Sequence, residues 1–165
     1  MIWLVLLPLC LVAELIAVIL APFLALLVGD GDHLPRRLAW FDTPDNPTWG
    51  DAGHCERWAG KSRYRQVLAW LIRNRAYGFK LGPLGCPVQP YFLVSGDRTI
   101  KNRASGRGGY LIFMGDLHHW YAKTIVPIFG MDRCLQLAAG WQLDAPINGR
   151  NLYMFSPRVT RFYRA

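Results

Sequence analysis

The sequence predicts an α+β protein: an N-terminal transmembrane helix, one basic amphipathic helix, then a small antiparallel β domain built as a meander. Three observations carry that prediction. Residues 2–28 are almost entirely apolar, residues 57–80 hold seven basic side chains and no acid, and residues 134–143 alternate with a period of two. The 165 residues suit roughly one domain's worth of chain. With 52% hydrophobic and 18% charged residues the chain is not a disordered polyelectrolyte, and collagen, coiled-coil and disulfide-scaffold classes are excluded. A net charge of +8 beside that apolar content points to a membrane partner.

The first segment, residues 1–29, reads as the anchor. From Ile2 to Val28, 18 of 27 residues are Leu, Ile, Val or Phe, and Glu14 is the one charge. Such a helix is about 40 Å long, enough to cross a hydrocarbon core of about 30 Å with tilt or a bend near Pro22. An intramembrane Glu14 costs roughly 2.5–3.5 kcal/mol, which eighteen residues at roughly −0.3 to −0.6 kcal/mol each offset. A carboxyl in a span is a functional site by default, and a single span leaves it needing a partner helix, as in self-association with another copy. A cleaved signal peptide fits less well, because there is no basic n-region and the apolar core is too long. The basic residues lie C-terminal to the span, beginning with Arg36 and Arg37, so the positive-inside rule places residues 30–165 in the cytoplasm. Cys55, Cys86 and Cys134 outside the span are odd in number, in keeping with free thiols in a reducing compartment.

Residues 30–55 form an acidic, turn-rich segment, with Phe41-Asp42-Thr43-Pro44-Asp45-Asn46-Pro47 and Gly50-Asp51 favouring local turns. Asp42, Asp45, Asn46 and Asp51 supply oxygens, but their spacing does not match an EF-hand loop, so turn capping is the expectation.

Residues 56–80 read as the basic amphipathic helix, regular from about Ser62 to Asn74. Tyr64, Val67, Leu68, Leu71 and Ile72 fall on one face, Trp70 at its edge, and Gly78 with Lys80 suits a helix stop. Arg57, Lys61, Arg63, Arg65, Trp70, Arg73 and Arg75 are the candidate membrane-surface and anion-binding residues. They would meet anionic phospholipid, each basic group adding about 1 kcal/mol. Arginine interleaved with aromatics also suits nucleic acid.

Residues 81–165 read as sheet. Tyr91–Ser95, Tyr110–Met114, Trp120–Val126 and the alternating run from Cys134 to Leu143 are strands, and Asn148-Gly149 is a hairpin turn. Five to seven strands are expected. His118-His119 are adjacent and would point to opposite faces of a strand, so no metal site is assigned. Ser105-Gly106-Arg107-Gly108-Gly109 lacks the Walker Lys-Ser/Thr and reads as a hairpin loop. No serine elbow or HExxH motif is present, and no cofactor is expected.

Trp40-Phe41-Asp42-Thr43-Pro44-Asp45-Asn46-Pro47, the run Trp70–Phe79, and Gly140-Trp141-Gln142-Leu143 resemble motifs of an uncharacterised family of small membrane proteins in tailed phages and prophages of Gram-negative bacteria. Arg75 and Gln142 stand where that family's pattern has proline and lysine. The resemblance implies a phage-encoded membrane protein and no catalytic residues. Three functions follow as expectations. The first is a non-enzymatic accessory protein in the host inner membrane that binds a host or phage protein. The second is a membrane-associated enzyme with a polar cleft around Asp45, Asp51, Arg73 and Asn74, part of a candidate polar cluster that also takes in Asp42 and Asn46. The third is a membrane-tethered nucleic-acid binder.

Overall fold

Alternation of apolar residues with a period near 3.6 and then of 2 yields an α+β architecture in the computed structural model, which describes residues 2–28, 31–100, 108–129, 131 and 133–161. Two compact units result. One holds residues 4–85, the other residues 1–3 with 86–165. Asp30 and Ser105-Gly106-Arg107 lie outside the described residues.

The helical unit is built on α1 (Ile2–Val28), which runs unbroken through Pro8 and Pro22. A 3-10 turn follows at Arg36–Phe41, then α2 (Ala52–Arg57), α3 (Arg63–Arg73) and α4 (Tyr77–Leu81). Residues 56–80 are therefore not one helix. The chain turns at Gly60, whose φ of 74° is left-handed, and again at Ala76, left-handed at φ 49°. Gly78 is no helix stop: it lies inside α4, where an added Cβ would collide with the backbone carbonyl of Ala39. The core of this unit joins Ala21, Leu24, Ala25 and Val28 of α1 to Leu34 and to Val67 and Leu71 of α3.

The face of α3 that is buried differs from the sequence expectation. Val67, Trp70 and Leu71 face inward, while Tyr64 and Ile72 are exposed. The large indole wins the inward position because its N–H has a partner there. Trp70 Nε1 donates to Thr43 Oγ1 at 2.9 Å, and Thr43 Oγ1 donates to the Asn46 carbonyl at 2.9 Å. His54 sits beside it, fully buried, 5.1 Å from the Trp70 ring and 5.9 Å from Trp58. Its Nε2 lies 2.9 Å from the Gln66 carbonyl, so the neutral ring donates there. Burial holds the His54 pKa below its usual 6.5, with Arg73 and Arg57 adding to the effect against the Gln66 hydrogen bond.

The β unit contains a five-stranded antiparallel sheet in the order β2-β3-β4-β5-β7. These strands are β2 (Phe92–Gly96), β3 (Gly109–Met114), β4 (Trp120–Pro127), β5 (Arg133–Trp141) and β7 (Tyr153–Arg161). The neighbours are sequential, a meander, except that residues 142–152 loop out to place β6 (Arg150–Asn151) beside β1 (Cys86–Pro87). Asn148 and Gly149, both left-handed at φ 48° and 75°, make the tight turn that closes Ile147 on Arg150. Along β5 the inward residues are Cys134, Gln136 and Ala138, and Leu135 and Leu137 face out. At the other end Trp141 and Tyr153 are buried together, their rings 5.4 Å apart. Trp3 completes that aromatic group: its ring lies 5.4 Å from Trp120 and 6.0 Å from both Tyr153 and Phe155. Tyr153 Oη donates to the Trp3 carbonyl at 2.8 Å.

Two expectations follow. Gly78→Ala should cost about 3 kcal/mol because backbone, not a flexible side chain, occupies the Cβ position. Gly60→Ala, which meets nothing within 4 Å, should cost only the left-handed strain of about 1–2 kcal/mol. Denaturant midpoints of the two variants check this ordering. The second concerns pH. Below about 6.5 the unfolded chain takes up a proton that folded His54 resists, so stability is complete above that pH and falls as pH drops toward the lowered folded value. Unfolding at pH 5.5 and 7.5 should show a loss at the lower pH that His54→Gln reduces.

Candidate functional site

Helix α1 has two unlike faces. At 100° per residue its buried positions, Trp3, Cys10, Glu14, Ala17, Ala21, Leu24, Ala25 and Val28, fall within an arc of about 100°. Half of them, Cys10, Ala17, Ala21 and Ala25, are small, which lets neighbouring backbone approach. The exposed positions fill about 200° of the remainder. They include thirteen large apolar side chains from Ile2 to Leu27, each 38–71% exposed. Among the described residues α1 alone is long and apolar enough to cross a membrane.

Glu14 is the one carboxylate on α1, which carries no Lys, Arg or His, and it lies in the buried arc at 6% exposure. Arg75 Nε donates to Glu14 Oε2 at 2.7 Å and Lys80 Nζ to Oε1 at 2.8 Å. Cys10 Sγ lies 4.0 Å from Oε1, one turn earlier. The carboxylate therefore finds its partners in the same chain, and the expected second copy is not needed to satisfy it. Arg75 is correspondingly not a free surface cation. The left-handed residue Ala76 lies between the end of α3 and the start of α4, so Arg75 and Lys80, which share one carboxylate, are not on one continuous helix. Lys80 is the residue that sequence reasoning left out of the site. Its signal was present, an apolar-helix carboxylate with a basic run downstream, but the pairing spans 66 residues.

The remaining predicted residues separate into groups. Trp70 is buried and cannot sit among lipid headgroups. Arg63 stacks over Trp49 at 5.5 Å and donates to the Gly31 carbonyl at 2.6 Å. Arg73 stacks over Trp70 at 5.3 Å and reaches Asp51 at 3.9 Å. Arg57, Lys61 and Arg65 are exposed.

The polar cluster is likewise divided. Asp51 caps α2, accepting from His54 N at 2.7 Å, and Asn74 caps α3 through Trp70 O at 3.2 Å. Asp45 faces Tyr77 Oη at 3.4 Å, and Asn46 accepts from Thr43. Asp42 is buried and accepts from Thr43 N, His33 Nδ1 and Leu34 N. Burial raises its carboxyl above the usual range against those hydrogen bonds. Within this cluster the Asp51–Arg73 pair is the only carboxylate–arginine contact among the described residues; Asp42, Asp51 and Asn74 serve turns and helix ends, Asp45 meets Tyr77, and Asn46 accepts through its backbone carbonyl.

In the β unit, Lys123 and Gln136 are buried on the same sheet face, and burial lowers the Lys123 pKa. The period of two in β4, with Tyr121 and Ile125 flanking Lys123, was the signal for it. His119 Nδ1 rests 2.9 Å from Asp116 and its ring packs on Trp141 at 4.6 Å.

Fold and site together define an α+β protein whose N-terminal apolar helix is clamped through a carboxylate on one side and open on the other. The chain belongs to the Family of unknown function (DUF7338), whose model matches residues 1–163. No curated protein and no solved structure matches it.

Removal of the carboxylate tests the clamp. Glu14→Ala leaves a largely buried Lys80 and Arg75 without an acceptor and should lower stability by roughly 3–5 kcal/mol. Arg75→Ala should cost less, since Arg75 is 37% exposed and Lys80 still holds the carboxylate. Thermal unfolding in mild detergent compares the two.

Proposed function

We propose that this is a phage-encoded, non-enzymatic accessory protein held at the host inner membrane, where it binds a host or phage protein at the membrane surface. The observation that carries this reading is the outer arc of α1: thirteen large apolar side chains left open on one helix. Soluble monomers rarely tolerate a contiguous apolar patch beyond a few hundred Å². Exposed Arg57, Lys61 and Arg65, with Arg36 and Arg37 after α1, supply the attraction to anionic phospholipid and favour a cytoplasmic position for the folded part. The phage assignment rests on the resemblance of the Trp40–Pro47, Trp70–Phe79 and Gly140–Leu143 runs.

The enzyme alternative draws little support, because Asp42, Asp51 and Asn74 serve turns and helix ends while Arg73 stacks on Trp70. The nucleic-acid alternative loses Arg63, Arg73 and Arg75 to intramolecular contacts.

Expressed in a bacterium, the full chain should pellet with the inner membrane and be released by detergent but not by high salt. Cys55 reports its side, since Cys10, Cys86 and Cys134 are buried and Cys55 is partly exposed. An impermeant maleimide should reach Cys55 only after the inner membrane is opened. Labelling through a permeabilised outer membrane alone would reverse the orientation, and salt-sensitive retention on DNA without vesicle binding would favour the nucleic-acid reading.

A further inference from the structure

We infer that α1 lies along the plane of the membrane, with its outer arc in the leaflet and its inner arc on its own protein, and does not cross the bilayer. This rests on the membrane reading above and specifies how the helix meets lipid. Three observations carry it.

The first is depth. Glu14 is near the middle of α1, and Arg75 and Lys80 grip it there. If α1 stood upright, the α3–α4 turn would lie at the bilayer centre, with exposed Arg73 and the one-third-exposed Arg75 in hydrocarbon. Ionised groups are strongly disfavoured at that depth, and irregular backbone exposed to lipid does not occur.

The second is the cover on the inner arc. Ala21, Leu24, Ala25 and Val28 of α1 pack on Leu34 and on Val67 and Leu71 of α3. An upright α1 would hold α3, with exposed Arg65 and Arg73, against hydrocarbon along the same half of its length.

The third is the chemistry of the outer arc. It carries aliphatic side chains, Phe23, Pro8 and Pro22, with no hydrogen-bonding side chain over about 200° of circumference. A protein-docking helix has a narrower apolar stripe bordered by polar residues. An arc this wide and this uniform suits hydrocarbon. An in-plane helix also has no length to match, so 27 residues raise no mismatch.

Depth-dependent quenching tests the inference. Leu4→Cys, Leu15→Cys and Leu26→Cys are made separately in a Cys55→Ser background. The three sites lie on the outer arc within about 40° of one another, and all three leucines are exposed, so the core is untouched. Each variant is labelled with an environment-sensitive fluorophore and bound to phosphatidylethanolamine–phosphatidylglycerol vesicles containing lipids brominated at shallow or deep acyl positions. The in-plane helix gives the same ratio of deep to shallow quenching at all three sites, within about twofold. A ratio several-fold higher at position 15 than at 4 and 26 identifies a spanning helix and overturns the inference while leaving the membrane reading intact. Absence of quenching at every site removes the membrane reading as well. Unquenched labels with disulfide cross-linking between copies at position 15 would assign the arc to a second copy and overturn the proposal.

Discussion

The Glu14 carboxylate is the constraint around which the helical unit is arranged. A charge on an apolar helix must be paired or solvated, and here two cations from a later part of the chain pair it. Meeting that demand fixes several other features. Arg75 and Lys80 must converge, and the left-handed Ala76 breaks the helix between them. The helix surface around Glu14 must be low enough for close approach, and Cys10, Ala17 and Ala21 make it so. Gly78 must lack a side chain where α4 meets the Ala39 backbone. The four small residues of α1's covered side, Cys10, Ala17, Ala21 and Ala25, and the large apolar ones of its open side follow from one difference: one side receives protein and the other does not.

Polar groups elsewhere follow the same rule of local satisfaction. Trp70, Thr43 and the Asn46 carbonyl form a chain of hydrogen bonds beneath the acidic turns. His54 is neutralised by burial and held by Gln66. Three of the arginines that look free in the sequence are occupied, Arg63 on Trp49 and a carbonyl, Arg73 on Trp70 and Asp51, Arg75 on Glu14. Formal charge therefore overstates the cationic surface offered to a partner, and the apolar arc of α1 becomes the dominant exposed feature.

Much of the fold was legible from short-range patterns. The helix Arg63–Arg73 falls within the expected Ser62–Asn74, and four of the five strands in the main sheet begin or end within two residues of the apolar runs that announced them. The Asn148-Gly149 turn was legible for the same reason: the left-handed dihedrals belong to the residue types themselves. The candidate site was less legible. Trp70 and Arg75 looked like surface residues because a helical wheel records angle and not what lies opposite. The six-residue polar cluster dissolved because turn caps use the same side chains as clefts.

The sequence by itself determined that an apolar helix of spanning length comes first, that a basic helical region follows, and that a meander of short strands completes the chain. Each of these depends on residues a few positions apart, whose spacing sets which face is apolar. Only the tertiary structure decided which face of α1 is covered, which cations neutralise Glu14, and that Trp3 belongs with strands 117 or more residues later. Those pairings join side chains separated by 61, 66 and 117 or more positions, where no local periodicity constrains the partner. They are chosen by the cost of leaving a charge or an aromatic surface uncovered once the elements have formed.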